Sequence, residues 1–270
     1  MICIINENFL LILTKISLTL NVLTMKKFTA ILAASVMAVL FSGIANAQIS
    51  VGAGYGLASH TSKVTADGTS VTDPNTNMNG FYVNGSYDWQ FMDQNWGALS
   101  LQPGLTYSFF TKSLDEISEM SESSASLKEH YLDIPVNVKY SYNLIPGTLK
   151  LSAYAGPVFS VGLASNTVVS TSEDGNDMTI RTNMYNGNTR VYGTVNGEKV
   201  DQSQEGESTG YGRFDLKLGL GITATVFEKF DVKIGYNIGL LNRMAKANTD
   251  DSSRMISRTN VFTIGVGYNF

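Results

Sequence analysis

The chain has 270 residues, a formal net charge of −4 and one cysteine. That balance gives no electrostatic footprint for nucleic acid. The cysteine, Cys3, precedes everything that reads as folded, which removes disulfides, thiol catalysis, thiolate metal sites and a lipoprotein anchor from the remainder.

Met25 opens a targeting pattern. Lys26 and Lys27 form a positive n-region, Phe28 to Ile44 an apolar core, and Ala45-Asn46-Ala47 a small-x-small cleavage site. The expected division is therefore an upstream mis-start segment at 1–24, a signal peptide at 25–47, and one folded domain at 48–270. A transmembrane anchor at 9–23 is the alternative for the upstream piece, but Lys15 interrupts it and it is short for a span.

From Gln48 onward no long stretch has a 3.6-residue apolar period, and eight ribbons alternate instead. The first sets Ile49, Val51, Ala53, Tyr55 and Leu57 against Ser50, Gly52, Gly54 and Gly56. The second sets Phe81, Val83, Tyr87, Trp89 and Phe91 against Tyr82, Asn84, Ser86 and Asp88. The third alternates from Leu99 to Phe109, the fourth from Leu132 to Tyr140, the fifth from Leu149 to Val161. The sixth is the clearest: Phe214, Leu216, Leu218, Leu220 and Ile222 against Asp215, Lys217, Gly219 and Gly221. The seventh runs from Phe230 to Leu240. The eighth, Phe262 to Phe270, ends the chain on an aromatic, with Tyr268 two residues before it.

The connections alternate too. Those near 60–78, 112–128, 165–209 and 243–258 are long and polar; those at 92–97, 143–148 and 227–229 are short. Antiparallel neighbours put all the long loops at one end, as in outer-membrane barrels with short periplasmic turns and longer external loops. A soluble barrel of the lipocalin kind would place the apolar row inside. Glycine decides against it: Gly52, Gly54, Gly56, Gly219, Gly221, Gly235, Gly265 and Gly267 all lie in the polar row, where a narrow interior needs small residues and a solvent face gains nothing from them. Aromatics near both ends of the apolar rows, Tyr131 and Tyr211 among them at the long-loop end, read as interfacial girdles. The expected fold is all-β: a closed eight-stranded antiparallel up-and-down transmembrane β-barrel with long extracellular loops and short periplasmic turns.

The interior should then hold Asp88, Asp133, Asp215 and Asp231 with Lys139, Lys150, Lys217 and Lys233, a compensated network, because unpaired charge in a narrow interior is costly. Pro103, Pro135 and Pro157 fall inside ribbons, yet parity is kept across each, which argues against one-residue bulges there.

The stretches Tyr131–Tyr140 (YLDIPVNVKY), Ala155–Phe159 (AGPVF), the Gly219–Leu241 hairpin and Val261–Phe270 resemble the PorT-like small outer-membrane β-barrels and, more distantly, OmpX and OmpW. The resemblance implies an eight-stranded barrel, and Tyr268 with Phe270 as the signal that the barrel-assembly machinery reads. It supplies no function.

Two histidines, His60 and His130, fall near the long-loop rim. Ser124, Ser126, Glu129 and Asp133 are close to His130, so a Ser–His–carboxylate enzyme acting on lipid or peptide is one reading. Solvated residues at loop bases is the other, and a narrow diffusion channel a third. The acidic pieces at 173–177 and 250–251 lack Ca²⁺-loop spacing. No catalytic residue, metal or cofactor is assigned. The expected partners are outer-membrane lipid and lipopolysaccharide, the assembly machinery and an unknown extracellular partner; no nucleic acid is expected, and a monomer is.

The longest connection, 165–209, carries the functional expectation. Met178–Met184 and Thr189–Val195 are β-prone around Asn186-Gly187, with Asn196-Gly197 following. A β extension tipped by Tyr185 and Tyr192 is expected, flanked by mobile acidic segments at 173–177 and 198–207.

Overall fold

The computed structural model describes residues 47–66, 69–118, 121–173, 176–207, 210–244 and 253–270. The upstream segment and the signal peptide, save Ala47, lie outside these residues. Among the described residues eleven strands form one antiparallel sheet: β1 (Ala47–Ala66), β2 (Thr69–Gln94), β3 (Gly97–Ser118), β4 (Ser121–Ile145), β5 (Leu149–Glu173), β6 (Asn176–Asn183), β7 (Thr189–Val195), β8 (Glu198–Gln204), β9 (Phe214–Val226), β10 (Phe230–Gly239) and β11 (Ser253–Asn269). Pairing runs β1-β2-β3-β4-β5-β9-β10-β11 and returns to β1, a ring of eight strands. β6, β7 and β8 continue from the upper half of β5, outside that ring.

The eight expected ribbons are the ring strands, and their two rows separate as alternation requires. Val51, Phe81, Val83, Val138, Phe159, Leu218, Ile222, Val232 and Val266 are exposed, while Asp133, Lys139, Asp215, Lys217 and Asp231 are buried. Polar side chains point in and apolar ones out. At the three prolines the register is unchanged, with Pro103 opposite Val136, Pro135 opposite Val158 and Pro157 opposite Leu218.

Glycine makes the interior fillable. Tyr82 and Tyr154 both point inward, and glycine backbones receive them. A Cβ at Gly54 would lie 2.7 Å from Tyr82 Cε1, and one at Gly235 would lie 2.6 Å from Tyr154 Oη. Contacts that close are not tolerated in a packed interior, so a side chain at either position would force its neighbours to move.

Three expected loops are shorter than the sequence suggested. β1 and β2 stay paired up to Ala66 opposite Thr69, with a register shift between His60 and Ser62. β3 and β4 stay paired up to Ser118 opposite Ser121, and β11 begins at Ser253. Their outer halves are polar on both faces, so period-two alternation vanishes while the Val and Thr preference for strands persists. The segment expected to be mobile at 198–207 is likewise a strand up to Gln204, and Glu173 and Asn176-Asp177 belong to β5 and β6.

Candidate functional site

A buried polar cluster fills the ring at its long-loop end. After β10 the chain turns inward through Leu240–Met244. Asn242 Oδ1 accepts from the N–H of Met244 (3.0 Å) and of Ser257 (2.8 Å), and Arg243 N–H donates to Ser257 O (2.9 Å). Fixed in this way, the Arg243 side chain enters the interior, where it is 2% exposed. Its Nε and Nη2 donate to Gly212 O at 3.2 and 3.1 Å, Nη1 to Tyr131 Oη and to Thr259 Oγ1 (3.4 Å), and Nη2 to Tyr185 Oη (3.1 Å). The guanidinium also lies over the Tyr211 and Tyr131 rings, 4.2 and 5.1 Å from their centroids. Planar and weakly hydrated, an arginine suits such stacking.

Glu129 supplies the opposite charge. It accepts from Tyr131 Oη, Ser165 Oγ (3.0 Å) and Tyr211 Oη (3.4 Å), and His60 Nε2 stands 3.0 Å from its Oε2. Tyr131 thus links Arg243 to Glu129 through one hydroxyl. His60 Nδ1 lies 3.0 Å from Thr259 Oγ1. An inward apolar pad of Ala58, Met78, Phe110, Tyr131 and Val261 supports the cluster. In such surroundings a charge left without its partner would be costly, so the members hold each other in place.

Thr259–His60–Glu129 has the connectivity of a hydroxyl–imidazole–carboxylate relay. Chemistry also needs an exposed nucleophile, and Thr259 is 0% exposed with Arg243 against its oxygen. The set suggested around His130 is not assembled. His130 shares the face opposite to Glu129 and Asp133, its Nδ1 lies 2.7 Å from Tyr107 Oη, and its ring is 4.8 Å from that of Phe109. Among the described residues no three His, Cys, Asp or Glu side chains gather as metal ligands would.

Below this cluster the interior charges are mostly in contact. Lys139 Nζ is 2.6 Å from Asp88, Lys217 Nζ 3.4 Å from Asp133, and Lys233 Nζ 3.3 Å from Asp231. Asp231 also accepts from Thr225 (2.7 Å) and Asn269 (2.8 Å). Asp215 is buried within electrostatic reach of Lys217 and Arg243, and Lys150 within reach of Asp88 and Asp231. Between the charged layers lies a polar cavity of about 100 Å³, bordered by Asn84, Asn137, Asp133, Tyr154 and Lys233.

Tyr192 is 39% exposed on β7, but Tyr185 is 6% exposed. It does not tip the extension. β5 and β7 run away from the ring and β6 and β8 return, so the turn holding Tyr185 lies at the base. Tyr268 packs edge-on against Phe230 and Phe270, and Phe270 N–H donates to Ile49 O (2.9 Å).

Sequence reasoning missed Arg243, Thr259 and the inward role of Tyr131, which was placed in the outer girdle but is 1% exposed inside. The signal was present: Tyr131 shares parity with Asp133, Asn137 and Lys139. Arg243 carried none, because it lies beyond the alternating run.

A model of the outer membrane protein beta-barrel domain family matches residues 42–244. The chain belongs to that family. It is a bacterial outer-membrane protein with an antiparallel up-and-down sheet. Among curated proteins none matches its sequence. Solved structures with some likeness include Ail of Yersinia pestis, solved with the heparin analogue sucrose octasulfate, at 15% identity over 83% of this chain and 99% of that one (TM-score 0.35). OprG of Pseudomonas aeruginosa gives 10% over 83% and 95% (TM-score 0.37), and the outer membrane enzyme PagL 9% over 79% and 98% (TM-score 0.37). Scores of this size carry no argument about this chain's role, and the fold by itself supplies none.

Proposed function

We propose that the ring is a closed transmembrane barrel of the PorT-like kind, without enzymatic activity, and that the protein acts through the β5–β8 extension outside the cell. One observation carries this reading: a sheet grown from the upper half of β5, ending in β8, which pairs on one side only with β7. A strand edge with exposed backbone groups and a face bearing Arg181, Arg190, Tyr192 and Lys199 is suited to contact. The interior is poorly suited to it. Most of its charges are engaged, and its cavity is too small for anything much beyond a few waters. The partner is the lipopolysaccharide layer or a protein met at the cell surface. Tyr268 and Phe270 serve assembly, and the barrel works as a monomer.

Replacing 171–207 with a short Gly/Ser linker tests the proposal. The barrel should still fold and insert, while binding of the purified protein to lipopolysaccharide vesicles and to cell surfaces should disappear. Undiminished binding would move the function to the other three loops. The rim-enzyme alternative rests on the Thr259–His60–Glu129 contacts alone. Hydrolysis of lipid or peptide that is lost in His60→Ala would favour it.

A further inference from the structure

The open edge of the extension has a definite chemistry. Among the described residues β8 has a neighbouring strand on one side only, β7. Asn196 and Gly197, with φ of 51° and 79°, form the two-residue turn between them, and both are left-handed as a primed hairpin turn requires. In such a hairpin the residues flanking the turn, Val195 and Glu198, share hydrogen bonds, and bonded and unbonded pairs then alternate along the ladder. Gly193–Val200 and Val191–Gln202 are therefore bonded pairs. The backbone groups of Lys199, Asp201 and Ser203 point the other way, to the open edge.

The side chains along that edge sort by face. Lys199 and Asp201 lie on the face of Arg190 and Tyr192, and the Asp201 side chain, although held by Arg190 at 2.6 Å, is still 57% exposed. Val200 lies on the other face, with Val191 and Ile180. It is half-buried, and the residue directly opposite it on β7 is Gly193, which offers it no side chain. Charges on an edge strand ordinarily discourage pairing. In the order Lys-Val-Asp they discriminate instead, because that order is self-complementary when read antiparallel.

We propose that β8 pairs with β8 of a second copy of this chain, antiparallel and centred on Val200. Centring on Lys199 or on Asp201 would set like charges opposite each other. Centring on Val200 sets each Lys199 against the other copy's Asp201 and places the two valines side by side. It also matches the backbone. Lys199 and Asp201 both have outward groups, so each of those two rungs exchanges a doublet of hydrogen bonds, with a close unbonded pair at Val200. Antiparallel strands of one sheet are related by an axis normal to it. The extension continues the wall of β5, so that axis is radial to the ring and lies in the membrane plane. A half-turn about it inverts the second copy, and the two barrels sit in facing membranes. The inference rests on the extension being the contacting element, and it deepens that reading: the protein met at the cell surface is this chain on a neighbouring cell, while each barrel stays single in its own membrane. One contact of this length is weak, but many between two surfaces add by avidity.

The test uses the full chain with Cys3→Ser, one barrel per phosphatidylcholine nanodisc, under mild oxidation, scoring only protein that keeps the folded gel mobility. In the proposed register Val200→Cys meets its counterpart at the close spacing of an unbonded pair, which suits a disulfide. Gln202→Cys, on the same face, stands opposite the other copy's Glu198 and lies about 13 Å from its counterpart. Cross-linking between discs should therefore be faster at Val200→Cys by on the order of tenfold or more. Lys199→Asp or Asp201→Lys, each added to Val200→Cys, should slow it, because like charges then meet on both rungs. Mixing the two variants should restore it, because unlike charges meet again. Mixing cells that carry one variant with cells that carry the other should give cross-links between cells. Equal rates at the two thiols, indifference to the charge variants, or cross-links confined to molecules of one cell overturn the proposal. Should Asp201→Lys disturb β7–β8 through the loss of its bond to Arg190, the thiol comparison and Lys199→Asp decide alone. Absence of cross-linking also overturns the self-contact. The extension reading survives that result if binding to lipopolysaccharide vesicles and cell surfaces still disappears when the linker replaces 171–207.

Discussion

Within the ring, neighbouring residues occupy opposite environments: Leu218 is 42% exposed and Lys217 1%. Within the extension, solvent reaches both Val191 and Tyr192. The same backbone ladder is therefore held in two ways. In the ring each strand has two partners, an interior that must be filled and electrically balanced, and an exterior suited to hydrocarbon. In the extension the chain relies on strand propensity, turn chemistry and cross-strand pairs such as Arg190 with Asp201 (2.6 Å). Substitutions should be punished heavily in the first region and lightly in the second, whereas contact with partners should follow the reverse order.

The largest effect should come from Leu218→Arg, which puts a charge on the outward row near the middle of the membrane. It should cost about 2–4 kcal/mol in reversible unfolding from lipid. A variant as stable as the parent would mean that the two rows have been exchanged. At the junction, Arg243→Met should cost about 2–3 kcal/mol, because Tyr131, Tyr185 and Gly212 O lose a charged donor and Glu129 loses its counter-charge. If Arg243→Met unfolds no earlier than the parent, the cluster does not hold the mouth together.

How legible each region was follows from the same contrast. The ring strands could be read from parity because burial writes alternation into them: Leu218 against Lys217, Val232 against Asp231. The extension was readable for another reason, the Asn186-Gly187 and Asn196-Gly197 turn pairs, both with glycine at positive φ (71° and 79°). β8 escaped because Glu198–Gln204 is polar on both faces, and water on both sides leaves no pattern. The rim cluster was half legible. Glu129, His60 and Tyr131 lie in paired strands, where parity fixes their direction. Arg243 arrives from a bend outside the ladder, and only three-dimensional closure brings it to Tyr131.

Two smaller effects sharpen the comparison. Deleting Phe270 removes a side chain that is 74% exposed and one backbone bond to Ile49. Refolding in vitro should be nearly unchanged, while the amount reaching the outer membrane falls. Normal insertion in cells would separate this residue from assembly. In the extension, the hydrogen bond from Arg190 holds the Asp201 carboxyl below its usual range. A depressed folded value stabilises the paired form above the unfolded carboxylate range, and that contribution is lost as pH falls through the folded value. Acidification should therefore loosen β7–β8 slightly. Asp201→Asn should remove the pH dependence, as read from amide signals of Thr189–Gln204. Both residues are well exposed, so the effect should be small. An unchanged profile in Asp201→Asn would assign the titration elsewhere.

The separation of ring from extension is tested most directly by amide hydrogen exchange in lipid, comparing the parent with the form in which a linker replaces 171–207. Protection in β1–β3, β9, β10 and β11, in β4 from Leu132 onward and in β5 up to Val161, should be the same in both. Loss should be confined to the mouth around Glu129, Gly212 and Arg243, where the Tyr185 turn no longer sits. Collapse of protection throughout the ring would contradict the account, because it would make the extension part of what holds the barrel together.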